Sequence, residues 1–110
     1  MEIISDEAGA DIAILRPVGK LNMLGAGALR DTVAVAVRGG RHRVVVDLAR
    51  VDFLDSSGLG ALIAGLKSCR QAGGDLRIAA PNEQVQLVLQ LTNMERILTA
   101  HPVADAAYDD

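Results

Sequence analysis

The stretch Asp55-Ser56-Ser57-Gly58 places one carboxylate and two hydroxyls next to one another in a chain of 110 residues. Such side chains can accept hydrogen bonds from the free N–H groups of a helix, and a serine hydroxyl can also be phosphorylated. The Gly-x-Ser-x-Gly frame of a hydrolase nucleophile and the glycine-rich phosphate loops of standard spacing are both missing. These residues therefore favour a helix cap or a modification site over a catalytic centre.

The apolar pattern on either side places this stretch between a strand and a helix. Residues 43–48 (RVVVDL) form a short run rich in β-branched side chains, which is typical of a buried strand. Leu59, Leu62, Ile63 and Leu66 then recur at helical spacing. We therefore expect a helix from Ser56 to about residue 71, with the serines in its first turn.

The helical period gives the two serines different orientations. At about 100° per residue, Ser56 lies near the apolar stripe and is predicted to face the fold as the N-cap. Ser57 is predicted to point into solvent, on the same outer face as Ala61, Ala64 and Ser68. A smooth face of small residues could let another protein approach closely. Alternatively, the alanines only favour the helix and the serines only cap it.

Composition argues against several classes of function. The net charge is -3 and only Phe53 and Tyr108 are aromatic, which speaks against nucleic acid as a partner. The acidic N-terminus lacks the basic region of a signal peptide, and no apolar run is long enough for a membrane span. We therefore expect a cytoplasmic protein without membrane association. The single cysteine, Cys69, permits neither an internal disulfide nor a cysteine-rich metal site.

Other reactive side chains show no convergent pattern. His42 and His101 lack the spacing of metal ligands, so surface or loop positions are expected for both. The acidic run of Asp47, Asp52 and Asp55 could bind Mg²⁺ through carboxylate oxygens, although carboxylates solvated at strand ends are the simpler interpretation. We predict a protein without catalytic residues, metal or cofactor.

Alternation of strand-like and helix-like segments predicts a single α/β domain over residues 1–110. The predicted order is β-β-α-β-α-β-α-β, with a helical turn or two over residues 103–108. A hairpin of residues 2–5 and 12–15, with a turn at 7–10, opens the chain. A loop at residues 19–22 and a helix over 24–37 follow. After the helix that carries the serines come a strand at 76–80, a helix opened by Pro81-Asn82, and a strand at 97–100. Right-handed crossovers make the sheet largely parallel, and the hairpin makes it mixed.

Residues 51–60 (VDFLDSSGLG) closely resemble the signature of STAS domains, the bacterial anti-sigma factor antagonists. The resemblance continues through residues 72–78 (AGGDLRI), Pro81 and residues 91–94 (LTNM). It implies a STAS-like single domain, in which α-helices pack against a mixed, mostly parallel β-sheet. Residues 19–22 (GKLN) depart from the family, which often has an acidic residue where this chain has Asn22.

The resemblance also implies a function. The unphosphorylated protein would bind a serine-kinase anti-sigma factor and free a sigma factor. The kinase would phosphorylate the family serine, which aligns with Ser57, and a PP2C-type phosphatase would reverse the switch. The expected partner-binding residues are Asp55, Ser56, Ser57, Gly58, Ala61, Ala64, Ser68 and Asn22. The alternatives are a STAS scaffold or transport-accessory module without a phosphorylation cycle and, least favoured, a small serine hydrolase.

Overall fold

The computed structural model describes residues 1–108, so residues 109 and 110 of the predicted domain lie outside the described part of the chain. The strands are β1 (Glu2–Gly9), β2 (Ile12–Leu21), β3 (Arg43–Asp47), β4 (Val51–Leu54), β5 (Asp75–Ala79) and β6 (Ala100–His101). The helices are α1 (Met23–Arg38), α2 (Ser56–Gln71) and α3 (Glu83–Leu91), with 3₁₀ turns at Met94–Arg96 and Ala104–Ala106. The predicted α/β class is confirmed, with one strand, β4, that the sequence pattern did not predict.

One sheet contains all six strands, in the order β1-β2-β3-β5-β6, with β4 also pairing with β2. β1 and β2 are antiparallel, whereas the other described pairings are parallel. The mixed, mostly parallel sheet expected from the chain is therefore confirmed. Because each parallel strand needs a crossover to the next, the helices connect the strands and bury their apolar stripes against the sheet.

β2 is longer than predicted, because it changes partners along its length. It pairs with β3 as far as Leu15 and with β4 from Gly19 onward, so the predicted loop at residues 19–22 is wrong. The N–H of Gly19 donates to the carbonyl of Arg50 at 2.9 Å. Residues two apart in a strand point the same way, so the nitrogen of Pro17 faces the gap between β3 and β4. A residue without an N–H is tolerated there, since neither neighbour needs a donor from it.

Three other predicted boundaries also need correction. The turn expected at residues 7–10 comes later, because β1 continues to Gly9 with an irregularity between Glu7 and Gly9. The last strand is not residues 97–100 but Ala100–His101, since a 3₁₀ turn occupies the chain just before it. The end of the described chain forms one 3₁₀ turn, Ala104–Ala106.

The main core lies between the sheet and the three helices and is aliphatic. The apolar runs of the sequence predict nine core residues, namely Val44, Val46, Leu59, Leu62, Ile63, Leu66, Ile78, Val88 and Leu89. Seven of them are buried, and Ile63 and Val88 are half-buried. Within residues 1–108, no helix is long and apolar enough to cross a lipid bilayer.

The C-terminal segment covers the opposite face of the sheet. Ala104 and Ala107 are buried there against a small apolar cluster that includes Val45. The Tyr108 ring lies under two guanidinium groups, 5.3 Å from that of Arg43 and 4.4 Å from that of Arg77. Its hydroxyl donates to the carbonyl of Val44 at 3.0 Å. Burial raises the pKa of Tyr108, so the phenol keeps its proton and this bond at neutral pH.

Candidate partner-binding site

Two helices begin side by side at the carboxyl ends of β2 and β4. Leu21 and Leu54 are paired in register, and each strand leads directly into a helix. Asn22 caps α1, where its side-chain oxygen accepts from the N–H of Leu24 at 3.0 Å. Because β2 and β4 are parallel neighbours, Asn22 lies at the same edge of the sheet as the serines. Open α/β sheets bind their ligands at the carboxyl ends of their strands, as at this edge.

The cap of α2 is Asp55 and not Ser56, which corrects the prediction. The Asp55 carboxylate accepts from the N–H of Gly58 at 3.0 Å, and Asp55 itself has extended backbone angles. Ser56 is already the first residue of the helix. All three consecutive residues are good N-caps, so their types did not decide the register. The end of β4 decides it, because the chain leaves the strand at Leu54.

The exposures of the two serines are the reverse of those predicted. Ser56 is exposed and Ser57 is half-buried. The helical wheel failed because α2 buries two faces, one against the sheet and a second against α1, so one apolar stripe does not describe it. Within residues 1–108, neither serine hydroxyl makes a hydrogen bond. Ser57 as the modified residue stays a prediction, without the exposure argument that favoured it.

The predicted outer face of small residues is largely the contact of α2 with α1. Ala61 is 0% exposed and Ala64 is half-buried, so neither forms an open surface. On the same side of the helix, a Cβ added at Gly65 would lie 3.3 Å from a methyl group of Val33 in α1 and 3.0 Å from a methyl group of Leu76 in β5. Ser68 is exposed, but it lies three turns away from the serines. The small residues thus allow close approach within the chain, and the prediction of an exposed Ala61 is wrong.

Gly58 brings the first turn of α2 against the end of β2. It is buried, and a Cβ at this position would lie 2.0 Å from the carbonyl oxygen of Leu21. The same oxygen accepts from the N–H of Asp55 at 3.4 Å. Gly58 therefore serves the geometry of the site, because any side chain would separate the helix from the strand.

Two amide side chains at the start of α3, those of Asn82 and Gln84, complete the site. Asn82 caps α3, accepting from Val85 N–H at 2.9 Å, and its amide nitrogen lies 3.2 Å from the carbonyl oxygens of both Val51 and Asp52. Gln84 accepts from the N–H of Leu54 and donates to its carbonyl, both at 2.9 Å. Pro81-Asn82 correctly predicted where α3 begins. The strand that these amides contact was not predicted, so their contacts could not be.

Exposed apolar side chains lie on α1 and β4, the two elements that flank the start of α2. Met23 and Leu24, in the first turn of α1, are 75% and 86% exposed, and Phe53 near the end of β4 is 39% exposed. Such side chains gain apolar burial when a partner covers them. The free N–H groups of the α2 N-terminus also favour a negative group on Ser56.

The acidic run suggested as a magnesium site does not converge. Asp47 pairs with Arg16 at 3.3 Å and accepts from the N–H of Ala49 at 3.0 Å, whereas Asp52 is exposed and Asp55 caps α2. Across residues 1–108, no three His, Cys, Asp or Glu side chains are grouped so that they could hold a metal ion. The arrangement is suited to protein contact and to modification of a hydroxyl.

Comparison with known proteins agrees with this architecture. The family model for the STAS domain matches residues 4–107. The chain belongs to the STAS family. A Thermotoga maritima protein, named provisionally as an anti-sigma factor antagonist, is 32% identical over 101 residues, which cover 91% of this chain and 89% of that one. An anti-sigma-B factor antagonist of Staphylococcus epidermidis is 28% identical over 80 residues, covering 73% of this STAS domain and 74% of the relative.

Solved structures give the same result for the fold. A crystal structure of a Thermotoga maritima protein, also provisionally an anti-sigma factor antagonist, superposes with a TM-score of 0.88 at 30% identity, covering 97% of this chain and 92% of that one. The anti-sigma factor antagonist SpoIIAA in its unphosphorylated form superposes with a TM-score of 0.81 at 18% identity, covering 96% and 92% of the two chains. SpoIIAA has also been solved in a phosphorylated form. The predicted STAS resemblance is confirmed, and these relatives carry the names of anti-sigma factor antagonists.

Proposed function

We propose that this STAS domain is an anti-sigma factor antagonist. It binds a serine-kinase anti-sigma factor around the N-terminus of α2 and so frees a sigma factor. The observation that carries the proposal is an exposed serine, Ser56, at a helix N-terminus next to the exposed Met23 and Leu24. The names of the curated relatives support the same function.

Phosphorylation of this serine pair switches the binding off, and a PP2C-type phosphatase restores it. The sequence predicted Ser57 as the acceptor, but the exposures support Ser56. Ser56 is exposed on the first residue of α2, whereas Ser57 is half-buried. A kinase must bring the hydroxyl to the γ-phosphate of ATP, so the more accessible hydroxyl is the better acceptor. SpoIIAA has been solved in an unphosphorylated and in a phosphorylated form, which supports a phosphorylated state for the present chain as well.

The phosphate acts on the partner more than on the domain. It brings about -1.5 to -2 charges at pH 7, which the N-terminus of α2 favours by roughly 0.3–1 kcal/mol on an exposed surface. Asp52 and Asp55 oppose it through like-charge repulsion, so the domain's own stability changes little. A docked partner would instead bury the charge beside two carboxylates. Without a matching cation that costs several kcal/mol, which is enough to abolish a micromolar complex.

The test is phosphorylation in vitro by each purified serine-kinase anti-sigma factor encoded in the same genome. We expect one kinase to bind the unmodified chain, to phosphorylate it with ATP, and to release the product. Mass spectrometry of the wild type and of Ser56→Ala and Ser57→Ala then locates the phosphate. Loss of modification only in Ser57→Ala would show that Ser57 is the acceptor, as predicted from the sequence, and not Ser56.

Calorimetry of the phosphorylated and unmodified chain then measures the switch. Equal affinity of both forms for the kinase would contradict it, and would favour a STAS scaffold without a phosphorylation cycle. A thermal midpoint that falls by more than about 10 °C on phosphorylation would show that the switch unfolds the domain, since about 1 kcal/mol shifts a domain of this size by only about 4–8 °C.

A further inference from the structure

The outer edge of β4 ends in a pair of hydrogen bonds to one side chain. In a strand, the N–H and the C=O of one residue point to the same side, and those of Leu54 point away from β2. Among residues 1–108, no strand pairs with β4 on that side. The amide of Gln84 takes the place of a neighbouring peptide, accepting from Leu54 N–H and donating to Leu54 C=O, each at 2.9 Å.

We propose that Gln84 is a positioning residue for the serine site. It fixes the peptide of Leu54 and thereby the junction from which Asp55 caps α2 and Ser56 is presented. The consequence for phosphorylation rests on the function proposed above, whereas the fixing of the junction does not.

The contacts around Leu54 show why this one side chain is sufficient. On the inner side, the carbonyl of Leu21 contacts Asp55 N–H at 3.4 Å, which is long for a hydrogen bond. On the outer side, the two short bonds from Gln84 hold the peptide immediately before the cap. Asn82 holds the preceding carbonyls at 3.2 Å, so the first turn of α3 follows the strand from Val51 to its end.

Glutamine suits this position because its amide has one acceptor and two donors, whereas a carboxylate would repel the Leu54 carbonyl. A side chain of similar length without hydrogen-bonding capacity would leave both peptide groups unpaired. These groups would then open to water, and the junction would sample displaced backbone conformations. A partner that binds only the ordered junction loses affinity in proportion to its population.

The test compares Gln84→Met with Gln86→Met. Gln86 lies on the same helix and its amide also donates to a backbone oxygen, but that oxygen belongs to Pro81, at 2.8 Å, and not to β4. A second control, Val88→Ala, lowers stability from a half-buried position on α3 that packs against the main core, and it keeps the Gln84 amide. Thermal unfolding of all variants separates global stability from the local effect.

The first readout is amide exchange and backbone dynamics by NMR, which needs no kinase. We expect exchange at Leu54 to accelerate about tenfold or more in Gln84→Met, and the backbone signals of Asp55 and Ser56 to shift or broaden. Both controls should leave these signals as in the wild type. Unchanged exchange at Leu54, or faster exchange with unaltered signals at Ser56, would overturn the inference.

The second readout is the kinetics of phosphorylation with the kinase that modifies the wild type. We expect the KM of Gln84→Met to rise about threefold or more with kcat nearly unchanged, because fewer molecules present an ordered junction. An equal rise in Val88→Ala would mean that stability, and not position, is responsible. If no kinase modifies the wild type, the proposed function fails, and the NMR measurement still decides the role of Gln84.

Discussion

Gly58→Ala tests how closely α2 approaches β2. A Cβ at this position would lie 2.0 Å from the carbonyl oxygen of Leu21 and 2.8 Å from a methyl carbon of Leu54. Real Cβ atoms essentially never come within 3.0 Å of a heavy atom, so the start of α2 would have to move away by about 1 Å. The obstacle is backbone, which cannot rotate aside as the end of a flexible side chain can.

The expected loss combines two effects of that movement. Overfilling a packed site costs typically about 1–3 kcal/mol, and a backbone obstacle belongs at the upper end. The movement also strains the bond from Gly58 N–H to the Asp55 carboxylate, and losing a cap costs about 0.5–2 kcal/mol. We therefore expect Gly58→Ala to lower the free energy of unfolding by about 3 kcal/mol or more. That is a large fraction of the roughly 5–15 kcal/mol of a typical domain.

Urea unfolding followed by far-ultraviolet circular dichroism measures the change, and Gly60→Ala is the matched control. A Cβ at Gly60 would lie 3.6 Å from a guanidinium nitrogen of Arg30, which is an ordinary contact. Alanine inside a helix is favoured over glycine by about 0.5–1 kcal/mol, so this variant should gain stability. Two substitutions of the same kind, two residues apart, should thus have opposite signs. A Gly58→Ala protein as stable as the wild type would refute the close approach.

Ala61→Arg should lower the free energy of unfolding by about 2 kcal/mol or more, or prevent folding, because Ala61 is fully buried. Ser68→Arg, at an exposed position, should change the free energy of unfolding by less than about 0.5 kcal/mol. Equal effects in urea unfolding would mean that the α1 contact is misplaced. In the same assay, Asp55→Ala should lower the free energy of unfolding by about 0.5–2 kcal/mol, and Ser56→Ala by less than about 0.5 kcal/mol. The reverse order would show that Ser56 is the N-cap of α2. Burial raises the pKa of Cys69 from 9.0 to about 11, so the folded thiol keeps a proton that the unfolded chain releases above pH 9. The free energy of unfolding of the wild type should therefore fall between pH 9 and 11 by more than that of Cys69→Ala, and parallel curves would contradict the raised pKa.

Strong, long patterns in the sequence predicted most of the fold. The start of α3 at Pro81-Asn82 and the end of α1 near Gly39 rest on residues whose backbone preferences leave few alternatives. β4 was missed because it has only four residues and Asp52 interrupts its apolar side chains. Its partner is the second half of β2, where Pro17 lacks the N–H of a strand donor and residues 19–22 were predicted to form a loop. The two errors are therefore one error, since each of these strands exists only with the other.

The details of the site depend on packing that a single helix cannot reveal. Ala61 and Gly65 indicate either an exposed smooth face or a close helix contact, and only the position of α1 decides between them. Ser57 is half-buried and Ser56 is exposed in the folded chain. The types of the residues predicted a helix cap or a modification site at this junction. Their orientation came from long-range contacts, which the periodicity of α2 does not contain.

The position of Tyr108 has a consequence for how the domain is observed by optical methods. The chain has no tryptophan, one tyrosine and one phenylalanine, so tyrosine absorbance and fluorescence arise from Tyr108 alone. Its ring contacts the guanidinium groups of Arg43 and Arg77, on the face of the sheet that the C-terminal segment covers, and not in the main core. The near-ultraviolet signal thus follows the release of that segment, whereas far-ultraviolet dichroism follows the helices and the sheet. Coincidence of the two denaturation curves would show that the terminal cover and the sheet unfold as one cooperative unit.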